Sequence, residues 1–147
     1  MESIWTQSAS IPPRAALDRD LETDVVVIGA GMAGVLTAWF LQQYGVDVVV
    51  LEANRIGSGQ TKNTTAKITA QHSLTYKRLI ESFGLQSATQ YAKANLRAIQ
   101  DYRSIVKKLD ISCQLEDVPA YLYTRFNPQA LYDEAHAAMQ VGIEATL

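Results

Sequence analysis

The sequence predicts an α/β fold: a parallel strand–helix–strand unit followed by the beginning of a mixed α+β region. Three observations carry this expectation. Val25-Val26-Val27-Ile28 and Val48-Val49-Val50-Leu51 are short, almost wholly apolar runs, the pattern of buried parallel strands. Between them, Gly31 to Tyr44 holds Val35, Leu36, Ala38, Trp39, Phe40 and Leu41, the apolar body of a helix that Gly45 is placed to end in the left-handed conformation. The joint between first strand and helix is the glycine run Gly29-Ala30-Gly31-Met32-Ala33-Gly34. Together they form a βαβ unit, whose crossover is almost always right-handed.

Composition fits such a domain. The chain has 147 residues, 48% hydrophobic and 19% charged, which is enough to bury a core and too apolar for disorder. Net charge is −2, with no basic patch, so nucleic acid is a poor candidate partner. Cys113 is the single cysteine; it excludes an internal disulfide or a cysteine-based metal cluster within this sequence and suits a reducing cytoplasm. The start Met1-Glu2-Ser3-Ile4-Trp5-Thr6 lacks the pattern of a secretory signal, and no apolar run approaches the ~20 residues of a membrane span.

The remaining elements follow in order. Residues 1–23 contain Pro12-Pro13 and read as an irregular arm. The stretch from Ala53 to Ser73, with Gly57, Gly59 and many Thr, Asn and Lys residues, reads as a long polar loop, and long loops in compact domains are usually functional or disordered. A helix is expected after Ser73, ending by Gly84. Leu85, Ala88, Ala92, Leu96, Ile99, Tyr102, Val106 and Leu109 then recur at steps of three or four, which predicts a long amphipathic helix to about Lys108 with Lys93, Arg97 and Lys107 off its stripe. Cys113-Gln114-Leu115 and Ala120-Tyr121-Leu122-Tyr123 have strand character, interrupted by Pro119. Asn127-Pro128 is an N-cap with proline at the first helical position, opening a helix to about Gln140 that Gly142 stops. Ile143 to Leu147 reads as the start of another strand. The expected organisation is an arm at 1–23, a nucleotide-binding segment with its loop at 24–84, and a helical segment opening a second domain at 85–147.

Gly29 to Gly34 is a G-x-G-x-x-G fingerprint in its required context, closing a strand and opening a helix. Gly29 makes the tight turn, Gly31 lets a pyrophosphate approach the backbone, and Gly34 lets helix pack on strand, with the small Ala38 one turn on. The N–H groups near Met32 and Ala33, at a helix N-terminus, favour phosphate oxygens. Glu52 follows Gly29 by 23 positions, at the end of the second strand. There a carboxylate accepts both ribose hydroxyls of an adenosine and repels a 2′-phosphate, which disfavours NADP. The glycines serve FAD and NAD alike. The segment after Glu52 discriminates better. Many NAD enzymes pass quickly into the next helix and strand, whereas here Glu52-Ala53-Asn54-Arg55 leads into the polar loop. Ala53 and Arg55 lie at the adenosine end, and Gly59, Thr61, Thr64 and Thr65 offer N–H groups and hydroxyls to the pyrophosphate and beyond. FAD is therefore the expected cofactor.

Val25 to Glu52 resembles the FAD-binding start of the D-amino-acid oxidase and glycine oxidase superfamily. The runs Arg55-Ile56-Gly57-Ser58-Gly59-Gln60-Thr61 and Asn63-Thr64-Thr65-Ala66-Lys67-Ile68-Thr69, then Gln71-His72, with Trp5-Thr6 upstream and Ala120 to Thr124 downstream, look like a bacterial branch of it. That branch joins an FAD-dependent oxidoreductase to a C-terminal Rieske iron–sulfur domain. The resemblance covers nearly the whole sequence. It implies a Rossmann-like FAD domain interrupted by a mixed α+β substrate domain, here truncated. It also implies oxidation of an amine or amino-acid-like substrate by hydride transfer to flavin. With one cysteine, a Rieske cluster could belong only to a C-terminal domain outside this chain.

Some relatives attach FAD covalently through a histidine in this loop; Thr61 to Thr64 contain no His or Cys, so non-covalent FAD is expected. Lys67 reads either as a stabiliser of negative charge at the reduced flavin or as a solvent-exposed lysine. His72 is a candidate for proton transfer, although a lone histidine after a loop is more often a structural donor. His136 reads as a surface residue, Tyr121 and Tyr123 as packing residues on one strand face, and Cys113 as a buried strand residue. No catalytic residue is assigned. Two function classes remain: the cofactor-binding part of a flavin enzyme, or a non-catalytic nucleotide-binding or assembly module that needs a second chain or copy.

Overall fold

A computed structural model describes residues 3–147; Met1 and Glu2, part of the arm read at 1–23, lie outside the described residues. The chain divides into two compact units, Met1–Lys67 and Ile68–Leu147.

In the first unit, β1 (Val25–Ile28) and β2 (Val48–Leu51) pair in parallel, Val25 opposite Val48 and Ile28 opposite Leu51, and α2 (Met32–Gln43) crosses between them. Gly29 takes φ 98° to turn out of β1, and Gly45 takes φ 77° after α2, both in the region that an L side chain rarely adopts. Gly34 is demanded by packing: a Cβ there would lie 1.9 Å from the Gly29 carbonyl oxygen and 3.3 Å from Val27 Cγ1. Ala38, buried, continues that contact face.

Two expectations are corrected in this unit. The strands are not buried on both faces: Val26 is 50% and Ile28 88% exposed, because one face of this two-stranded sheet is left uncovered within the unit. The arm is not wholly irregular. Ile4–Ser8 forms a short helix, α1, with Ser3 as N-cap accepting from Trp5 N–H at 3.2 Å. After β2 the chain runs through turns into a 3-10 turn at Gln60–Asn63.

The second unit is helical. α3 (Tyr76–Lys108) is broken at Gly84, whose φ of 79° and ψ of 163° separate residues 76–83 from 85–108, the two helices expected from the periodicity. α4 (Pro128–Gln140) starts at Asn127, whose side chain accepts from Ala130 N–H at 3.2 Å, and Gly142 follows it with φ 90°. Tyr76, Ala88 and Ala92 from α3 pack with Ala137, Ala138 and Val141, and Leu79 and Ile80 join them. Helix 76–83 thus shares the core of the second unit, whereas the sequence reading grouped it with residues 24–84.

No strand forms at residues 111–124 or 143–147. A strand needs a neighbour's ladder, and among the described residues the only paired strands are β1 and β2, in the other unit. Tyr121 and Tyr123 are 80% and 85% exposed, so they do not pack, and Cys113 is exposed rather than buried. Ile143 and Ala145 pack against the helical core instead. Among the described residues no helix is long and apolar enough to cross a membrane.

Candidate dinucleotide site

The glycine turn is wired to the end of β2 by backbone and carboxylate hydrogen bonds. Gly29 N–H donates to Leu51 O at 2.7 Å, Gly57 N–H donates to Ala30 O at 2.9 Å, and Ala30 N–H donates to Glu52 Oε2 at 2.8 Å. Glu52 Oε1 accepts from Asn54 N–H at 2.9 Å. These N–H groups, Asn54 first and Ala30 second, hold the Glu52 carboxyl below its ordinary value of 4.5. An ionised carboxylate has about four acceptor positions. Two bonds to backbone fix its direction and leave acceptors for hydroxyl groups.

Thr61, in the 3-10 turn, presents its hydroxyl to the first turn of α2 and accepts from Met32 N–H at 2.8 Å. A Cβ on Gly31 would come within 3.3 Å of the same oxygen. Loop and fingerprint therefore meet where a side chain would be tight. Ser3 and Trp5, to which the sequence reading gave no role in the site, reach this loop as well. Ser3 Oγ donates to Lys62 O, and Trp5 Nε1 donates to Thr64 O at 3.1 Å.

A cleft of about 1550 Å³ opens along the carboxyl end of the sheet. It exceeds the few hundred to ~1,000 Å³ of pockets for drug-sized ligands and is roomy enough for a dinucleotide. Of the sequence-derived site residues, Met32, Glu52, Ala53, Arg55, Thr61 and Thr64 line it. Gly29, Gly31 and Gly34 are not among its lining residues, although their neighbours Ala30 and Met32 are. Ala33 is exposed on α2 next to Met32, and Gly59 caps the 3-10 turn. Thr65 and Lys67 are exposed and do not line the cleft; between them Ala66 takes φ 63°, the left-handed region.

Other candidates resolve into local structure within the second unit. His72 Nδ1 lies 2.8 Å from Tyr91 Oη, and its carbonyl accepts from Thr75 Oγ1, a holding arrangement. Burial, then Tyr91 and Glu134, push the Tyr76 phenol up to about 12, so it stays neutral and donates to Ala70 O. Glu134, 5% exposed, accepts from the N–H groups of Thr75, Tyr76 and Lys77 at 2.8, 2.7 and 3.0 Å. It caps the start of α3, a role not read from the sequence. The signal was a carboxylate set in the apolar stripe of Ala137, Ala138 and Val141. His136 is exposed. Among the described residues no group of three or more His, Cys, Asp and Glu could hold a metal ion.

A βαβ unit with a glycine turn, a small-residue helix start and an acid closing the second strand is that of a Rossmann-like dinucleotide-binding protein. Residues 24–147 match the family model described as DAO, FAD dependent oxidoreductase, and the chain belongs to that family. It is 40% identical over 148 residues to YhfW of Bacillus subtilis (strain 168), which carries a Rieske 2Fe-2S iron-sulfur protein name. That match covers 99% of this chain and 29% of the relative. It is 29% identical over 130 residues to gamma-glutamylputrescine oxidoreductase of Escherichia coli (strain K12), covering 88% of this chain and 30% of that one. It is 31% identical over 124 residues to the tRNA 5-methylaminomethyl-2-thiouridine biosynthesis bifunctional protein MnmC of Psychrobacter cryohalolentis, covering 75% of this chain and 18% of that one. The chain thus spans under a third of the length of these relatives. No solved structure gives a significant match.

Proposed function

We propose that this chain supplies the adenosine and pyrophosphate site of a flavin-dependent oxidoreductase that oxidises an amine or amino-acid-like substrate, with FAD held non-covalently. The observation that carries the reading is the pair of hydrogen bonds from Ala30 and Asn54 that hold the Glu52 carboxylate in the lining of the cleft. The site fits the cofactor on its own geometry. The ionised Glu52 accepts ribose hydroxyls, Arg55 lies at the adenosine end, and the start of α2 offers N–H groups to phosphate. Thr61 and Thr64 add hydroxyls along the pyrophosphate. Gly59, Thr65 and Lys67, expected from the sequence further along the loop, stand outside the cleft lining. FAD supplies the hydride-accepting chemistry when bound; the residues described here bind, orient and exclude 2′-phosphorylated competitors. The amine class rests on the name of the Escherichia coli relative, a putrescine-derivative oxidoreductase. A Rieske cluster would belong to a further domain, in keeping with the name of the Bacillus relative. The single exposed thiol suits a reducing cytoplasm.

A second reading has its own support. The chain matches less than a third of each relative, and β1 exposes Ile28 on an uncovered sheet face. In that reading the 147 residues bind nucleotide without turning over substrate, and require a partner chain, a further segment or another copy of themselves. One experiment separates the two. The full chain is titrated with FAD, NAD and NADP, then mixed anaerobically with a panel of amines while flavin absorbance is followed. Both readings expect FAD to bind more tightly than NADP. Bleaching by an amine, in this chain or after a separately supplied C-terminal portion is added, supports the enzyme; FAD binding without bleaching in either case supports the module. Tighter binding of NADP overturns the cofactor assignment.

A further inference from the structure

Residues 3–8 lie outside the stretch matched by the family model, which begins at residue 24. They nevertheless make side-chain bonds to the loop that faces the pyrophosphate end of the cleft. Ser3 Oγ donates to the carbonyl of Lys62 and Trp5 Nε1 to that of Thr64, so both grip the backbone around the 3-10 turn Gln60–Asn63. That turn carries Thr61, whose hydroxyl meets Met32 N–H at the start of α2. The two carbonyls belong to a polar, glycine-containing loop with no strand to hold it, so the clasp replaces the ladder bonds that a sheet would supply. The same arm stays along the cleft beyond α1: Ile11 Cδ1 would lie 3.7 Å from a Cβ on Gly57 and lines the cleft with Trp5.

We propose that α1 is a clasp on the dinucleotide site and that Ser3 and Trp5 are positioning residues for it. They act through the loop: by fixing the carbonyls of Lys62 and Thr64, they hold Thr61 in register with the first turn of α2 before the pyrophosphate arrives. Preorganising a loop in its binding geometry raises affinity by removing the entropy cost of ordering it. The proposal rests on the dinucleotide reading of the cleft.

The test uses the full chain with two substitutions. Trp5→Phe keeps an aromatic ring and removes the Nε1 donor. Ser3→Asp keeps an N-cap acceptor for α1 but cannot donate to Lys62 O, which separates capping from clasping. Three quantities are read: the FAD dissociation constant, amide hydrogen exchange at residues 60–64, and the melting temperature of the cofactor-free protein. Each variant is expected to exchange faster at 60–64 and to bind FAD roughly 3- to 10-fold more weakly, the range of one hydrogen bond, with melting temperature nearly unchanged. A residue that served stability alone would lower the melting temperature and leave the affinity of the folded protein as it was. Unchanged FAD affinity in both variants, or unchanged exchange at 60–64, overturns the clasp. Failure of the wild-type chain to bind FAD overturns the dinucleotide reading itself, and the clasp with it.

Discussion

In the first unit the Glu52 carboxylate receives the N–H groups of Ala30 and Asn54; in the second, the Glu134 carboxylate receives those of Thr75, Tyr76 and Lys77. The device is the same, an anion bound to backbone donors, but the surroundings differ. Glu134 is 5% exposed and spends both oxygens on the first turn of α3, next to Tyr76 in the helical core. Glu52 is half-buried, fixed from behind, and faces a cleft. A carboxylate with all its acceptors turned inward stabilises a fold; one held by two bonds with acceptors to spare presents a charge to something else. A hydrogen-bonded acid points to function only together with what its remaining lone pairs face.

The contrast is sharpened first by Glu134→Ala. Three N–H groups at a buried helix start lose their acceptor, and a hydrogen bond to a charged group contributes about 1.5–3 kcal/mol. Because the three share one carboxylate and are not additive, a loss of about 2–4 kcal/mol is expected. Thermal or urea unfolding measures it, and FAD affinity at a temperature where the variant is folded is expected to stay unchanged. A variant of wild-type stability would contradict the capping role of Glu134.

A smaller effect is expected from pH at Glu52. Its folded value lies below 4.5, so its contribution is fully present above the ordinary carboxylate range and is lost only as pH falls through the lowered value. FAD affinity is therefore expected to be flat from neutral pH down to about 4.5 and to fall below that, while Glu52→Gln binds more weakly and shows no such acid limb. A wild-type affinity that already declines between pH 7 and 5 would contradict an ionised, backbone-held Glu52.

The βαβ unit was legible because everything that forms it is local: two β-branched runs, a helix between them, a positive φ at Gly29 and, at Gly34, a contact with no room for a Cβ. The helix break at Gly84 and the cap at Asn127 were legible for the same reason. What failed was long-range. Tyr121, Leu122 and Tyr123 have strand-forming side chains, but a strand exists only where a partner ladder does. Glu134 acts 57 to 59 positions away in sequence, at Thr75, Tyr76 and Lys77, beyond any periodicity argument. Trp5 reaches Thr64 across a similar separation, and the five-residue helix before Pro12-Pro13 is too short to show a period. Part of the site was legible as residue types. Thr65 and Lys67, inferred from loop composition, stand outside the cleft lining that Thr61 and Thr64 share.

FAD titration of Gly31→Val asks whether the glycine turn next to Glu52 is a dinucleotide site. A Cβ at Gly31 meets only the Thr61 hydroxyl, at 3.3 Å, which a side-chain rotation relieves, so the fold is expected to survive. The added branches, however, stand over the first turn of α2, where the pyrophosphate is to be received. FAD affinity is expected to fall by on the order of 100-fold, about 2.7 kcal/mol, in a protein whose circular dichroism and melting curve match the wild type. A folded Gly31→Val chain that binds FAD as tightly as the wild type would contradict the dinucleotide site.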